Sequence, residues 1–329
     1  MAGGAATTAI DGGGGRRAVG QAARRGDRAF AAVVVALGGV VLALAGVVLI
    51  VVYRLAHPAL VAIGPLEFVT GRTWDPVAEQ FGALPFLYGT IVTSVIGLVL
   101  AAPVAIGLAV FVVELSTPRL RRWVSFLVEL LAAIPSVVYG LWGLLVLVPV
   151  LRTTVQPTLQ RLFGWAPLFE GPPIGLGYLA AGVVLAIMIL PTIATVAVEV
   201  LRAVPDALRE GALAIGATRW EAVRMAVLPF ARRGLLGALI LGLARALGET
   251  MAVTMVIGNQ PSIRASLFAP GYSLPSVIAN EFTEASSVMH VGALAGLALV
   301  LFGVTLALSG LARLLVRLSG GALHGASIN

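Results

Sequence analysis

Six apolar stretches, each long enough to cross a lipid bilayer, leave this chain few folds to choose from. They lie at 30–53, about 86–113, 124–150, 174–201, 234–258 and 290–318. Each exceeds the roughly 20 residues a helix needs to cross about 30 Å of hydrocarbon. The first is much longer than the apolar core of a signal peptide and lacks a small-residue cleavage site, so it reads as a retained helix. Several stretches carry proline inside them, as in Ala101-Ala102-Pro103, Ile134-Pro135-Ser136 and Leu190-Pro191-Thr192. In a bundle of membrane helices the freed carbonyls find partners on neighbours and local hydroxyls, so these read as kinked spans. The expected fold class is an all-α integral membrane protein of about six transmembrane helices.

Composition agrees. Of the 329 residues, 59% are apolar and 11% charged, against roughly 45–50% and about 25% in soluble domains. The net charge of +7 comes from arginines placed between the apolar stretches, which fits membrane orientation better than a nucleic-acid face. If the N-terminus lies inside, 16 arginines fall on the inner side and 5 on the outer, with Arg245 left inside a span. The positive-inside rule then places both termini in the cytoplasm.

Around the spans, 1–29 is an Arg- and Gly-rich stretch that reads as a disordered cytoplasmic tail. Residues 54–85 read as an external loop, 86–318 as the core domain, 202–233 as a long cytoplasmic loop, and 319–329 as a second tail. No lysine occurs, so the chain can host neither a P-loop nor a Schiff base. If ATP drives it, another subunit binds the ATP and its Mg. Cysteine is absent and His57, His290 and His324 are widely separated, so no metal site is expected. No catalytic motif is present and no enzymatic activity is expected.

The inner loop carries the first functional pattern. Pro205-Asp206 offers a helix start, the stretch Asp206 to Val227 favours helix with an interruption at Gly216, and Pro229 is expected to end it. Glu210, Gly211 and Ala212, then Gly216, then Leu228 and Pro229 follow the spacing E-A-A-x3-G-x9-I-x-L-P, with Gly211 at the second position and Ala226 at the isoleucine. A short helix, a glycine turn and a second helix make a knob suited to a groove on a partner.

The second pattern is Arg245 and Glu249 in the fifth span. Charges at mid-bilayer cost roughly 2.5–3.5 kcal/mol each and mark functional sites by default. Their i, i+4 spacing puts them on one helical face within pairing reach, beside the small residues Gly234, Ala238, Gly242 and Ala252. Hydroxyls that could line a polar path are Thr90, Thr93, Ser94, Ser136, Tyr139, Thr192 and Thr195, with Thr93 and Ser136 preferred. Glu114, Glu129 and Glu199 fall near cytoplasmic helix ends and read as solvated or interfacial.

The loop spacing is that of the coupling loop of ABC importer permeases. Two segments carry the resemblance further: Glu210 to Glu221, and Leu241-Gly242-Leu243-Ala244-Arg245-Ala246-Leu247-Gly248-Glu249-Thr250-Met251-Ala252-Val253. Both resemble the PstC permeases of bacterial phosphate-specific ABC transporters. The resemblance implies a type I importer fold, inorganic phosphate as substrate and a location in the bacterial cell membrane. It also implies a second, PstA-like permease, a PstB-like cytoplasmic ATPase dimer and a PstS-like external phosphate-binding protein as partners. Two other readings stay open at this point: a permease for another oxyanion (molybdate, sulfate or phosphonate), and a secondary carrier or membrane enzyme without an ATPase.

Overall fold

The computed structural model describes the backbone of residues 13–318 and the side chains of 30–311, 313 and 314. Residues 1–12 of the expected N-terminal tail and the 319–329 tail lie outside the described residues. Contacts group the chain into Met1–Arg54 and Leu55–Asn329. The first group holds most of helix α1 (Gly13–Ile63). This helix starts earlier and ends later than the 30–53 span read from the sequence. Ala, Arg and Gln before Phe30 are good helix formers, and the Leu55–Ile63 continuation is apolar and ends only at Gly64, whose φ is 90°.

After the last turns of α1, the second group continues with α2 (Pro65–Thr70) and a short antiparallel hairpin of β1 (Trp74–Asp75) and β2 (Gln80–Phe81). Then come α3 (Leu84–Val110), running on through a π-turn at Phe111–Leu115, and α4 (Pro118–Ala133). Three helical pieces follow: α5 (Ser136–Trp142), α6 (Val148–Val150) and α7 (Gln156–Phe163), joined by π-turns at Gly143–Leu147 and Leu151–Val155. Beyond these lie α8 (Tyr178–Arg202), α9 (Asp206–Ala214), α10 (Arg219–Ala222), a π-turn at Val223–Val227 and α11 (Leu228–Leu247). The last elements are α12 (Met251–Val256), α13 (Leu274–Glu281) and α14 (Val288–Leu318). Among the described residues, six helical stretches are long and apolar enough to cross a membrane: Phe30–Ile63, Leu84–Leu115, Ser136–Phe163, Tyr178–Arg202, Arg219–Leu247 and Val288–Leu311.

Three further boundaries differ from the sequence reading, and proline explains two of them. The third span is not a kinked 124–150. Ile134, held extended before Pro135 (φ −69°, ψ 127°), stops α4 completely, and the span restarts at Ser136 and reaches Phe163. Conversely, Pro229 does not end a helix. The preceding π-turn widens the backbone where the proline ring would strike the carbonyl four residues back, so one helix runs from Arg219 to Leu247. Pro149 and Pro157 follow π-turns in the same way. The third difference is a break at Gly248 inside the expected fifth span.

The main core forms where α8 packs on α3 and α11. Glycine makes the approach close. A Cβ at Gly182 would lie 2.3 Å from Ile96 Cγ2, and one at Gly242 would lie 2.5 Å from Ile193 Cγ1. Gly234, Ala238 and Gly242 therefore face α8, as small residues on a packing stripe should. At the end of the bundle away from α9, a second core joins the hairpin to α13 and α14. There Trp74 meets Phe81 and Phe86 edge-on at 4.9 Å, and its indole N–H donates to Glu281 Oε2 at 2.9 Å.

Candidate functional site

Two breaks in the spans lie side by side. The first is Ile134-Pro135, after which α5 begins at Ser136. The second is Gly248-Glu249-Thr250, between α11 and α12. A Cβ at Gly140 would meet Met255 Sδ at 2.7 Å and Ala252 Cα at 2.9 Å, and one at Gly143 would meet Val256 Cγ1 at 3.0 Å. Positions 140 and 143 thus pair with 252 and 256, so α5 and α12 run parallel, with α12 starting beside the first turn of α5.

Arg245 stands in the last turn of α11, on an exposed face of this chain, between the polar ends marked by Arg233 and Asn259. Tyr139 lies one turn into α5. It donates its hydroxyl to Leu131 O at 2.7 Å, a carbonyl that Pro135 cannot serve and that otherwise takes only a 3.3 Å bond from the Ile134 N–H. Glu249 does not pair with Arg245, contrary to the i, i+4 expectation. The helix ends at Leu247, which removes the register on which that pairing depends. Instead Glu249 Oε1 accepts the Ala252 N–H at 3.1 Å and caps α12. Ser136 is half-buried at the start of α5, near this break.

The other candidate hydroxyls are placed elsewhere. Thr93 is buried on α3 and donates to Gly89 O at 2.8 Å. Thr90 donates to Phe86 O at 2.7 Å and accepts the Leu274 N–H at 2.8 Å. Ser94 is buried with no partner for its hydroxyl among the described residues. Thr195 lines a cavity of about 150 Å³ with Ser125, Glu129, Glu199 and Arg202.

The knob read from the loop sequence is present. Gly216 has φ 90°, and the chain reverses through two backbone bonds, Gly216 N–H to Leu213 O at 3.0 Å and Ala217 N–H to Ala212 O at 3.2 Å. Thr218 then caps α10 reciprocally with Glu221. Glu210 and Gly211 are exposed, as are Ile215 at 83% and Trp220 at 56%, so the knob presents apolar surface beside an acidic group. Leu228 and Pro229 sit in the first turn of α11, which continues from α10 without a gap.

Glu114, read from the sequence as solvated or interfacial, takes up a contact between elements: its carboxylate accepts Arg209 Nη2 at 2.8 Å and Nε at 3.1 and 3.2 Å. Those bonds raise the Arg209 pKa above the usual guanidinium value, so the charge is permanent. Nothing in the sequence announces a partnership across 95 positions. The break at Gly248 did carry a signal, the Gly-Glu-Thr triplet, although glycine alone is common in membrane helices.

Residues 101–319 match the family described as the binding-protein-dependent transport system inner membrane component. The chain is 49% identical over 251 residues to the phosphate transport system permease protein PstC of Mesorhizobium japonicum, covering 75% of this chain and 77% of that one. It is 38% identical over 311 residues to PstC 2 of Mycobacterium tuberculosis, covering 92% and 94%. Among solved structures, the inward-facing methionine ABC transporter MetNI is similar with a TM-score of 0.52 at 21% identity, covering 78% of this chain and 98% of that one. That likeness shows a type I ABC importer permease fold.

Proposed function

The chain belongs to the binding-protein-dependent transport inner-membrane components, and within them to the PstC phosphate permeases; from that premise we propose how it imports inorganic phosphate. It is the multi-pass membrane subunit of an ABC phosphate importer. It holds no ATP site of its own in this reading; ATP and Mg act on a PstB-like ATPase dimer that receives the α9–α10 knob. A PstA-like permease covers the exposed face bearing Arg245, and a PstS-like protein delivers phosphate from outside. The orientation follows the arginine asymmetry, with the knob and both termini cytoplasmic.

The carrying observation is Arg245, an exposed cation at the junction of two broken spans. Lipid cannot cover such a group cheaply, so its face lines either a partner or a polar path. A guanidinium offers charge and a planar fork of donors matched to phosphate oxygens. Ser136 adds a hydroxyl at the neighbouring break. Glu249, within the second break, caps α12 and sets a negative charge close to the path, so that phosphate is held weakly enough to leave. Thr93, with its hydroxyl committed inside α3, is left a minor role.

Uptake of labelled phosphate by cells lacking this chain, with and without its return, tests the reading. Restored uptake that resists molybdate, sulfate and phosphonate supports phosphate. Restored uptake of one of those anions instead would reassign the substrate, and no restoration would sink the transport role.

A further inference from the structure

Motion of the knob has an obvious covalent route, since α10 runs unbroken into α11 and on to the Gly248 break. The other break, at Pro135, is reached by a different set of contacts. Arg209 on α9 donates to Leu201 O at 2.9 Å and Val204 O at 2.6 Å, at the end of α8, and pairs with Glu114 in the π-turn that ends α3. In the same π-turn, Val112 O and Val113 O accept Arg121 Nε at 2.8 Å and Nη2 at 3.1 Å. Arg121 belongs to α4, whose far end is Ile134-Pro135. The side chains of the ion pair are 18% and 11% exposed, so water screens them little.

We infer that the Arg209–Glu114 pair is a second, non-covalent lever, carrying knob motion through the end of α3 and Arg121 to α4 and the Pro135 break. This rests on the transport reading above. Each lever reaches one side of the same junction: α11 bears Arg245 at its end, and α4 bears the carbonyl held by Tyr139. A knob joined only to α11 would move one wall of the junction. Held also to α3 and α4, it moves both together. Arg209 and Glu114 are thus positioning residues for coupling, distinct from the exposed Glu210 surface that meets the ATPase.

The test uses the reconstituted full importer, reading phosphate moved per ATP hydrolysed alongside ATPase co-purification. Glu114→Gln and Arg209→Met should keep the ATPase bound and hydrolysis within about twofold, while phosphate per ATP falls about tenfold, as when one partner of a little-screened pair is removed. The chain has no cysteine of its own, so Glu114→Cys with Arg209→Cys places a unique pair. Reduced, this variant should show the same fall; bridged by a short bis-methanethiosulfonate, it should regain most of the ratio and lose it again on reduction. The inference is overturned if hydrolysis and uptake fall in parallel, if the variants fail to assemble, or if the ratio stays at the wild-type value. A bridge that does not form, or forms without restoring the ratio, overturns it equally. The wild-type complex tests the transport reading separately, because only a phosphate importer yields a ratio at all.

Discussion

Arg209 holds the Glu114 carboxylate with three nitrogen–oxygen contacts of 2.8, 3.1 and 3.2 Å, joining the short loop helix α9 to the end of a membrane span. Another ion pair at this end of the bundle, Arg202–Glu199, is a single 2.9 Å contact with side chains 46% and 66% exposed. The contrast decides which matters. Removing Arg209 strands a little-exposed carboxylate, whereas Glu199 without Arg202 is simply hydrated.

Arg209→Met should therefore destabilise the purified chain by about 1–3 kcal/mol. Arg202→Met should cost about 0–1 kcal/mol. Thermal unfolding in detergent reads both. Equal shifts would mean that burial does not separate the two pairs.

Gly216 serves conformation, not space. Its φ of 90° is a left-handed value, while a Cβ there would meet nothing within 4 Å. Gly216→Asn, which tolerates that region, should keep the ATPase associated. Gly216→Leu should cost roughly 1–2 kcal/mol locally, unwind the turn and release the ATPase, with membrane insertion unchanged. Co-purification of the ATPase distinguishes them, and normal association of the leucine variant would sink the docking role.

Apolar length alone placed the spans of α3 and α8, because nothing but a membrane helix accommodates 84–115 or 178–202. The knob was legible too, since a glycine between helix-favouring stretches has one cheap use. Where the sequence misled, the deciding interaction was elsewhere. Pro135 breaks a helix that Pro229 does not, and the difference is a π-turn, which leaves no local pattern. Arg245 and Glu249 look paired only while the helix is assumed continuous. For Glu114 the sequence left solvated and interfacial roles open, because its partner Arg209 arrives from another element.

Topology is checked by tags. One inserted after residue 70, or near 165, should be labelled from outside intact cells, and one near 120 or 217 should not. The arginine asymmetry of 16 to 5 motivates this. Labelling on the opposite side would invert the knob's access to a cytoplasmic ATPase and refute the coupling reading.

The junction itself should be sensitive to bulk at Gly140, where a Cβ would already strike Ala252 Cα at 2.9 Å. Gly140→Val forces α5 away from α12, by overpacking that typically costs about 1–3 kcal/mol. Phosphate uptake should drop sharply while the complex still purifies. The comparison is Gly107→Val, where a Cβ would meet nothing within 4 Å; uptake there should stay near wild type.

Arg245 and Glu249 should respond differently to loss of charge, because the structure gives them different tasks. Phosphate near neutral pH is a mixture of mono- and dianion, and hydrocarbon penalises both heavily. Arg245→Gln removes the attraction but leaves α11 and its packing on α8 untouched, so uptake should be abolished with the complex intact. Glu249→Gln keeps an oxygen able to accept the Ala252 N–H, so α12 should stay capped. What it loses is the negative charge near the path. Phosphate should then be held longer, and uptake should slow rather than vanish. Discrimination against sulfate should weaken as well, since a carboxylate can accept a P–OH hydrogen bond that sulfate cannot offer. Glu249→Ala also loses the cap, at about 0.5–2 kcal/mol, and should be the more damaging of the two. Initial uptake rates with competing sulfate measure all three variants. Suppose instead that Arg245→Gln prevents assembly, and that exchanging the charges (Arg245→Glu with Glu249→Arg) restores assembly and uptake. The two residues would then form a lock in the working importer, and the path would run elsewhere.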